Sequence, residues 1–120
     1  MPFRLVMTNE VRDWLHGLRR ADRVTSRSIA EAIQTLLTVG PDLGRPLVDR
    51  IKGSRLHNLK ELRPGSAGTT EVRILFIFDP HRNVVLLVAG DKSGKWSAWY
   101  RTAIPQAEQV YAQYLKEEGQ

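Results

Sequence analysis

The sequence contains no cysteine. That removes disulfide staples, thiolate nucleophiles and cysteine-ligated zinc, because each needs the thiolate or its oxidation product. Long apolar runs are also missing. Nothing approaches the roughly 20 consecutive apolar residues that cross a bilayer as a helix, and Met1-Pro2-Phe3-Arg4 does not open like a secretory signal. The expectation is a soluble, cytoplasmic protein with no membrane partner. Histidine is sparse: His16, His57 and His81 fall on an expected helix, strand and turn with no i, i+4 pairing, so no metal site is expected. The glycine-containing stretch Gly90–Trp96 lacks the spacing and terminal Ser/Thr of a phosphate-binding loop, and no elbow motif marks a nucleophilic serine. No cofactor is expected either.

What is present is a modest hydrophobic complement and an excess of positive charge. With 120 residues, 42% of them hydrophobic and 26% charged, the chain suits one domain over residues 1–120. A net charge of +5 and a pI near 10.0 fit a polyanionic partner, and equally fit an ordinary solvated surface. Location separates the two better than the total does. Residues 45–63 hold six Lys+Arg against two Asp+Glu and residues 71–101 hold five against three, whereas 1–44 are nearly balanced at six against five. Charge focused in the middle of the chain is what a phosphate-binding face requires.

Hydrophobic spacing sets the order of elements. Phe3, Leu5 and Met7 alternate as in a short strand, and Thr8 or Asn9 can cap a helix carrying Val11, Leu15 and Leu18. Asp22 restarts a second helix with Ile29, Ala32, Ile33, Leu36 and Leu37 on one face, ended by Gly40-Pro41. Residues 41–55, with three further breakers at Gly44, Pro46 and Gly53, read as an irregular basic loop. Leu56–Arg63 reads as a strand, with a possible bulge because its leucines recur every third residue. After a turn at 64–68, Glu71–Phe78 and Val84–Val88 form a hairpin around 79–83. Both faces of the first run are apolar except at Arg73, so it should be a central strand with Arg73 paired or lining a cleft. A polar and aromatic stretch over 90–101 precedes a last helix with Pro105 in its first turn and Ala107, Val110, Tyr111, Tyr114 and Leu115 on one face; Lys116–Gln120 should fray.

The chemistry this order could assemble is cationic. Lys60 and Arg63 lie on one strand, Arg73 on the next, Lys92 and Lys95 after the last, with Tyr100 nearby. RNA cleavage through the 2′-hydroxyl needs a proton acceptor, cations for the charged transition state and an acid for the leaving oxygen, and Lys, Arg and Tyr supply these without metal. The same lysines are also ordinary solvated strand ends. Trp96, Trp99 and Tyr100 can stack on bases or cap the core.

The elements Leu59–Arg63, Glu71–Asp79 and Val88–Lys92, in the order strand, helix, helix, three strands, helix, resemble the RelE/ParE superfamily of toxins. The HigB-like, phage Gp49-like branch is the nearest resemblance. It implies an α+β, microbial-RNase-type fold with a mainly antiparallel sheet, and a metal-independent mRNA endonuclease acting in the ribosomal A site. It also implies a cognate antitoxin, a HigA-like helix-turn-helix protein that covers the basic face or displaces the last helix. On that resemblance Arg63 and Arg73 bind the scissile phosphate, Lys92 and Lys95 hold or deprotonate RNA, and Tyr100 positions a base. Lys52, Arg55, Lys60 and Trp96 would add RNA contacts, and His57 or Asp91 could contribute as histidine-using relatives suggest. The alternative is a ParE-like inhibitor of DNA gyrase, which shares the fold and acts by binding protein; a non-toxic nucleic-acid-binding module ranks last.

Overall fold

The computed structural model describes residues 3–65 and 68–119. Strand β1 (Arg4–Met7) leads into helix α1 (Asn9–Ala21), whose cap is Thr8: its hydroxyl accepts the Val11 N–H at 3.1 Å. Asp22 then ends α1 and caps α2 (Arg23–Val39), accepting the backbone N–H and the hydroxyl of Thr25. One residue thus joins two helices, and they pack on each other as a hairpin. Gly40 stops α2 with φ of 80° and lies under the Phe3 ring, where a β-carbon would clash.

The sheet has five strands in the order β1-β5-β4-β3-β2, antiparallel except for the β1–β5 pair. Strand β4 (Val72–Phe78) is central, as its two apolar faces require. Val72, Ile74 and Phe76 face the helix hairpin, while Leu75 and Ile77 face helix α3 (Ser97–Glu118). The sheet is therefore covered on both sides, by α1–α2 on one and by α3 on the other.

Four boundaries differ from the sequence reading. The loop expected over 41–55 contains a short strand, β2 (Val48–Arg50), which three residues of pairing with β3 are enough to fix. The strand expected over 56–63 shrinks to β3 (Lys60–Leu62), because Leu56 belongs to a turn and its period-three spacing was never strand geometry. The bulge lies instead where β4 meets β5, at Leu75/Phe76. Strand β5 (Asn83–Asp91) extends beyond Val88, and α3 begins at Ser97, so Pro105 stands inside the helix rather than in its first turn. Proline there leaves the Arg101 carbonyl without its usual helical donor, a cost met by the packing of Ala103, Ala107 and Tyr111 on the sheet. Of the turn expected at 64–68, residues 66 and 67 lie outside the described residues, as does Gln120 of the expected frayed end, where α3 continues to Glu118.

Candidate nucleic-acid-cleaving site

The start of α3 sets the site. Trp99 lays its indole against β5 at Gly90, so closely that a β-carbon on Gly90 would lie 2.7 Å from the indole nitrogen. Glycine inside a strand marks such an approach. Gly90 is paired with Arg73, so this contact brings the first turn of α3 down over the end of β4. Tyr100 packs edge-on against Trp99 and donates its hydroxyl hydrogen to Glu61 of β3 at 2.6 Å.

Arg73 is held by what surrounds it. Its Nε is 3.7 Å from Glu61 Oε1, its Nη2 is 3.6 Å from Glu71 Oε1, and its Nη1 donates to the Val72 carbonyl at 2.8 Å. The residue is only 8% exposed, and its Nε makes no hydrogen bond among the described residues. A buried guanidinium with unused donor capacity is costly unless an acceptor reaches it. Burial, followed by the adjacent Glu61 carboxylate, pushes the Tyr100 hydroxyl up to about 12, so at neutral pH it is protonated and acts as a donor.

Lys92 completes the cluster from the end of β5. Asp91 accepts the backbone N–H groups of Glu71 and Ser93, each at 2.9 Å, and fixes the turn that Lys92 begins. Burial opposes the charge on Asp91, but these hydrogen bonds hold its carboxyl below the usual range. The Lys92 ammonium lies 5.1 Å from the centre of the Tyr100 ring and 5.4 Å from that of Trp96. Trp96 is 62% exposed and has φ of 45°, a left-handed conformation unusual for a bulky side chain. A large apolar ring is thus turned to solvent beside a cation. That arrangement suits stacking of an unpaired base whose phosphate meets the lysine.

The remaining residues singled out from the sequence fall at different distances from this cluster. Arg63 follows Leu62, which pairs with Ile74, so it lies next to Arg73 across the β3–β4 ladder, where its guanidinium is 3.6 Å from Asp49. Lys95 is exposed on the turn between β5 and α3. Lys52 and Arg55 are exposed in the loop after β2, which Glu108 of α3 holds by accepting from Ser54 Oγ at 2.8 Å and from the Arg55 N–H at 2.7 Å. A 420 Å³ groove lined by Gly53, Tyr100, Arg101, Ile104, Pro105 and Glu108 runs from that loop to Tyr100. Lys60 is not brought to the cluster: its ammonium lies over the Phe78 ring and donates to the Pro41 carbonyl, on the face covered by the helix hairpin. His57 is exposed in a turn, and Asp91 is occupied as a loop cap. Among the described residues no group of three or more His, Asp or Glu side chains is arranged to hold a metal ion.

Glu61 and Glu71 were missed by sequence reasoning, whereas Trp99 takes the packing role that was one of its two readings. The available signal was Glu61 itself, an acid between Lys60 and Leu62 on a strand whose neighbours are apolar.

Comparison with known proteins now places the molecule. The phage-derived Gp49-like family model matches residues 13–112. The chain belongs to that family. It is 51% identical over 102 residues to HigB2 of Mycobacterium tuberculosis and 44% identical over 114 residues to HigB3 of the same organism, both named there as candidate toxins. The matched region is 85% of this chain and 49% of HigB2, and 95% of both chains for HigB3, so the chain spans about half the length of the first relative and nearly all of the second. A solved structure of the E. coli toxin RelE, a mutant in the free state, superposes with a TM-score of 0.55 at 12% identity over 98% of this chain and 99% of that one. The Gp49-like chain therefore has the RelE fold, with helices on both faces of a mostly antiparallel sheet, and it is similar over nearly its whole length to HigB3.

Proposed function

We propose that this Gp49-like protein is the toxin of a toxin–antitoxin pair and cleaves mRNA on the ribosome, which halts translation. The observation that carries the reading is the convergence of Arg73, Lys92, Trp96 and Tyr100 at one end of the sheet under α3. Electrostatic stabilisation of a pentacoordinate phosphate needs fixed cations in a partly dehydrated setting. Arg73 meets that requirement, being buried and oriented by Glu61 and Glu71. A substrate phosphate competes with the more exposed Glu71 for Nη2 and finds the guanidinium already oriented. Lys92 holds the same phosphate, and Trp96 stacks the adjoining base. Glu61 is a positioning residue, acting through Arg73 and Tyr100. Arg63, Lys95, Lys52 and Arg55 extend the positive path for the RNA on either side.

The partner that silences it is a HigA-like helix-turn-helix antitoxin with an acidic segment, acting in the cytoplasm by covering this face. Displacing α3 instead would break three ties: Tyr100 to Glu61, Glu108 to Ser54 and Arg55, and Tyr114 to Asp79 at 2.6 Å. It would also expose Ala103, Ala107 and Tyr111.

The test is induced expression in a bacterial host with transcript 5′ ends mapped. Growth arrest with new internal ends is expected, and Arg73→Ala should remove both. Arrest with intact transcripts and DNA damage would replace this reading with gyrase inhibition.

A further inference from the structure

Among the described residues, a second block of positive charge in no ion pair lies away from the cleavage site. In sequence, residues 1–44 are nearly neutral, but folding separates their charges. Glu10 and Asp13 fall in the first turns of α1, Glu10 beside β5 and the start of α3, whereas Arg19 and Arg20 end α1, and Arg23 and Arg27 begin α2. The four arginines therefore gather at the tip of the hairpin, one helix length of about 20 Å from the start of α1. They line a 630 Å³ groove with only Ser26 and Ala30 between them. None of the four has a carboxylate within ion-pair distance among the described residues. The one acid of the tip, Asp22, is taken up by capping Thr25.

Arg19 and Arg20, in the last turn of α1, suit its dipole, but two features set Arg23 and Arg27 against the fold. The first turn of α2 has no acidic residue and begins with Arg23, although the positive end of a helix dipole favours carboxylates there. Arg23 and Arg27 are also a like-charged i, i+4 pair, which destabilises a helix. Asp22 answers the dipole as the α2 cap, but no carboxylate pairs with either guanidinium among the described residues, and a like-charged pair left so is a departure from local preference that an external anion would offset. At the cleavage site the arginines differ, since Arg63, Arg73 and Arg55 each face a carboxylate, while Lys52, Lys92 and Lys95 are in no ion pair among the described residues.

We propose that the hairpin tip is a second RNA-binding surface, which grips the phosphate backbone of structured RNA independently of sequence while the α3 face carries out cleavage. Guanidinium forks match phosphates bidentately, and their supply from two helices suits a backbone running across the hairpin. A protein partner fits less well. The groove walls hold no apolar side chain larger than alanine, and the exposed Val24 is not among them, so an anchor residue has no pocket to fill. The inference rests on the reading that this chain acts on RNA, and it concerns a surface that reading does not use.

The test compares wild type, a tip variant carrying Arg19→Gln, Arg20→Gln, Arg23→Gln and Arg27→Gln, and Arg73→Ala. Binding to a labelled RNA hairpin is followed by fluorescence anisotropy across a salt series, and cleavage is followed on mRNA programmed into ribosomes at saturating protein, so that the cutting step rather than recruitment is read. The tip variant should bind the hairpin at least about tenfold more weakly, with a salt slope shallower by about 3, while cutting ribosome-bound mRNA at saturation within about twofold of wild type. Arg73→Ala should lose cleavage and keep most of the slope. Because glutamine relieves the clash with the α2 dipole at positions 23 and 27 and gives up the favourable α1 dipole contacts at 19 and 20, the tip variant should melt close to wild type. An unchanged slope in a folded tip variant overturns the proposal, and so does a variant that retains RNA affinity but no longer binds the antitoxin. If wild type cuts nothing and the slope still depends on the tip, the second surface stands while the nuclease reading falls.

Discussion

Replacing Gly90 with alanine tests whether the Trp99 contact builds the site. Gly90 has no positive φ, so alanine suits its backbone and should stabilise by about 0.4–1 kcal/mol through the unfolded chain alone. Opposing this, the new methyl would sit 2.7 Å from the indole nitrogen and 3.2 Å from two ring carbons of Trp99. That indole is rigid and belongs to the first turn of a helix, so relief requires moving α3, and forced overpacking costs about 1–3 kcal/mol. The net expectation is a loss of about 1–2 kcal/mol, read as a lower urea midpoint at constant m. In a Trp99→Leu background the clash is gone, and the same substitution should be neutral or stabilising. The coupling between the two sites is then at least about 1 kcal/mol, well above the additivity error for independent positions. Because Tyr100 follows Trp99 in the helix, Gly90→Ala should also lower RNA cleavage, with the Tyr100 hydroxyl titrating at lower pH as it leaves Glu61. An equal cost of Gly90→Ala in both backgrounds would refute the reasoning, since it would show that the indole does not set the position of α3.

Other substitutions test the remaining ties. Glu61→Gln keeps an acceptor for Tyr100 but removes charge beside Arg73. A loss of about 2 kcal/mol is expected, below the ~3–5 kcal/mol usual for orphaning a buried charge because Glu71 remains, and the Tyr100 titration should fall from about 12 while burial still holds it above its ordinary value. Tyr114→Phe removes one of the hydrogen bonds that hold the Asp79 carboxyl low against burial, and should cost about 1–2 kcal/mol by thermal melting. In alkali the sign follows from raised folded-state values: Tyr100 and Tyr114, each pushed up to about 12, contribute stability that is intact below pH 10 and lost as pH rises toward 12. Removing both hydroxyls should flatten that decline in a pH series of urea midpoints. Glu108→Gln should leave the melting temperature nearly unchanged while speeding amide exchange at Arg55, whose N–H its carboxylate holds.

What the sequence revealed and what it hid divide along the range of the forces involved. The hairpin was legible because Thr8 and Asp22 cap their helices through contacts three residues apart, and the central strand because both its faces are apolar. Arg73 stood out by the same pattern, as the one charge on a buried face. Glu61 did not, because its importance depends on Tyr100, 39 residues away, and on a placement of α3 that the Gly90–Trp99 contact helps to set. Pro105 misled for a related reason: local preference puts proline in a first turn, but burial of Ala103 below it outweighs that preference and carries the helix back to Ser97. Lys60 and Arg63 show the limit of a list of cations. They sit three residues apart around the same strand, yet one ammonium lies over Phe78 beneath the hairpin and the other side chain faces Asp49 near Arg73. Strand alternation separates positions of opposite parity, so a cluster of basic residues in sequence becomes a site only for those whose parity matches that of the buried acid. For this chain that acid is Glu61, and the parity it shares with Arg63 and, across the ladder, with Arg73 puts these side chains on one face of the sheet, opposite to that of Lys60.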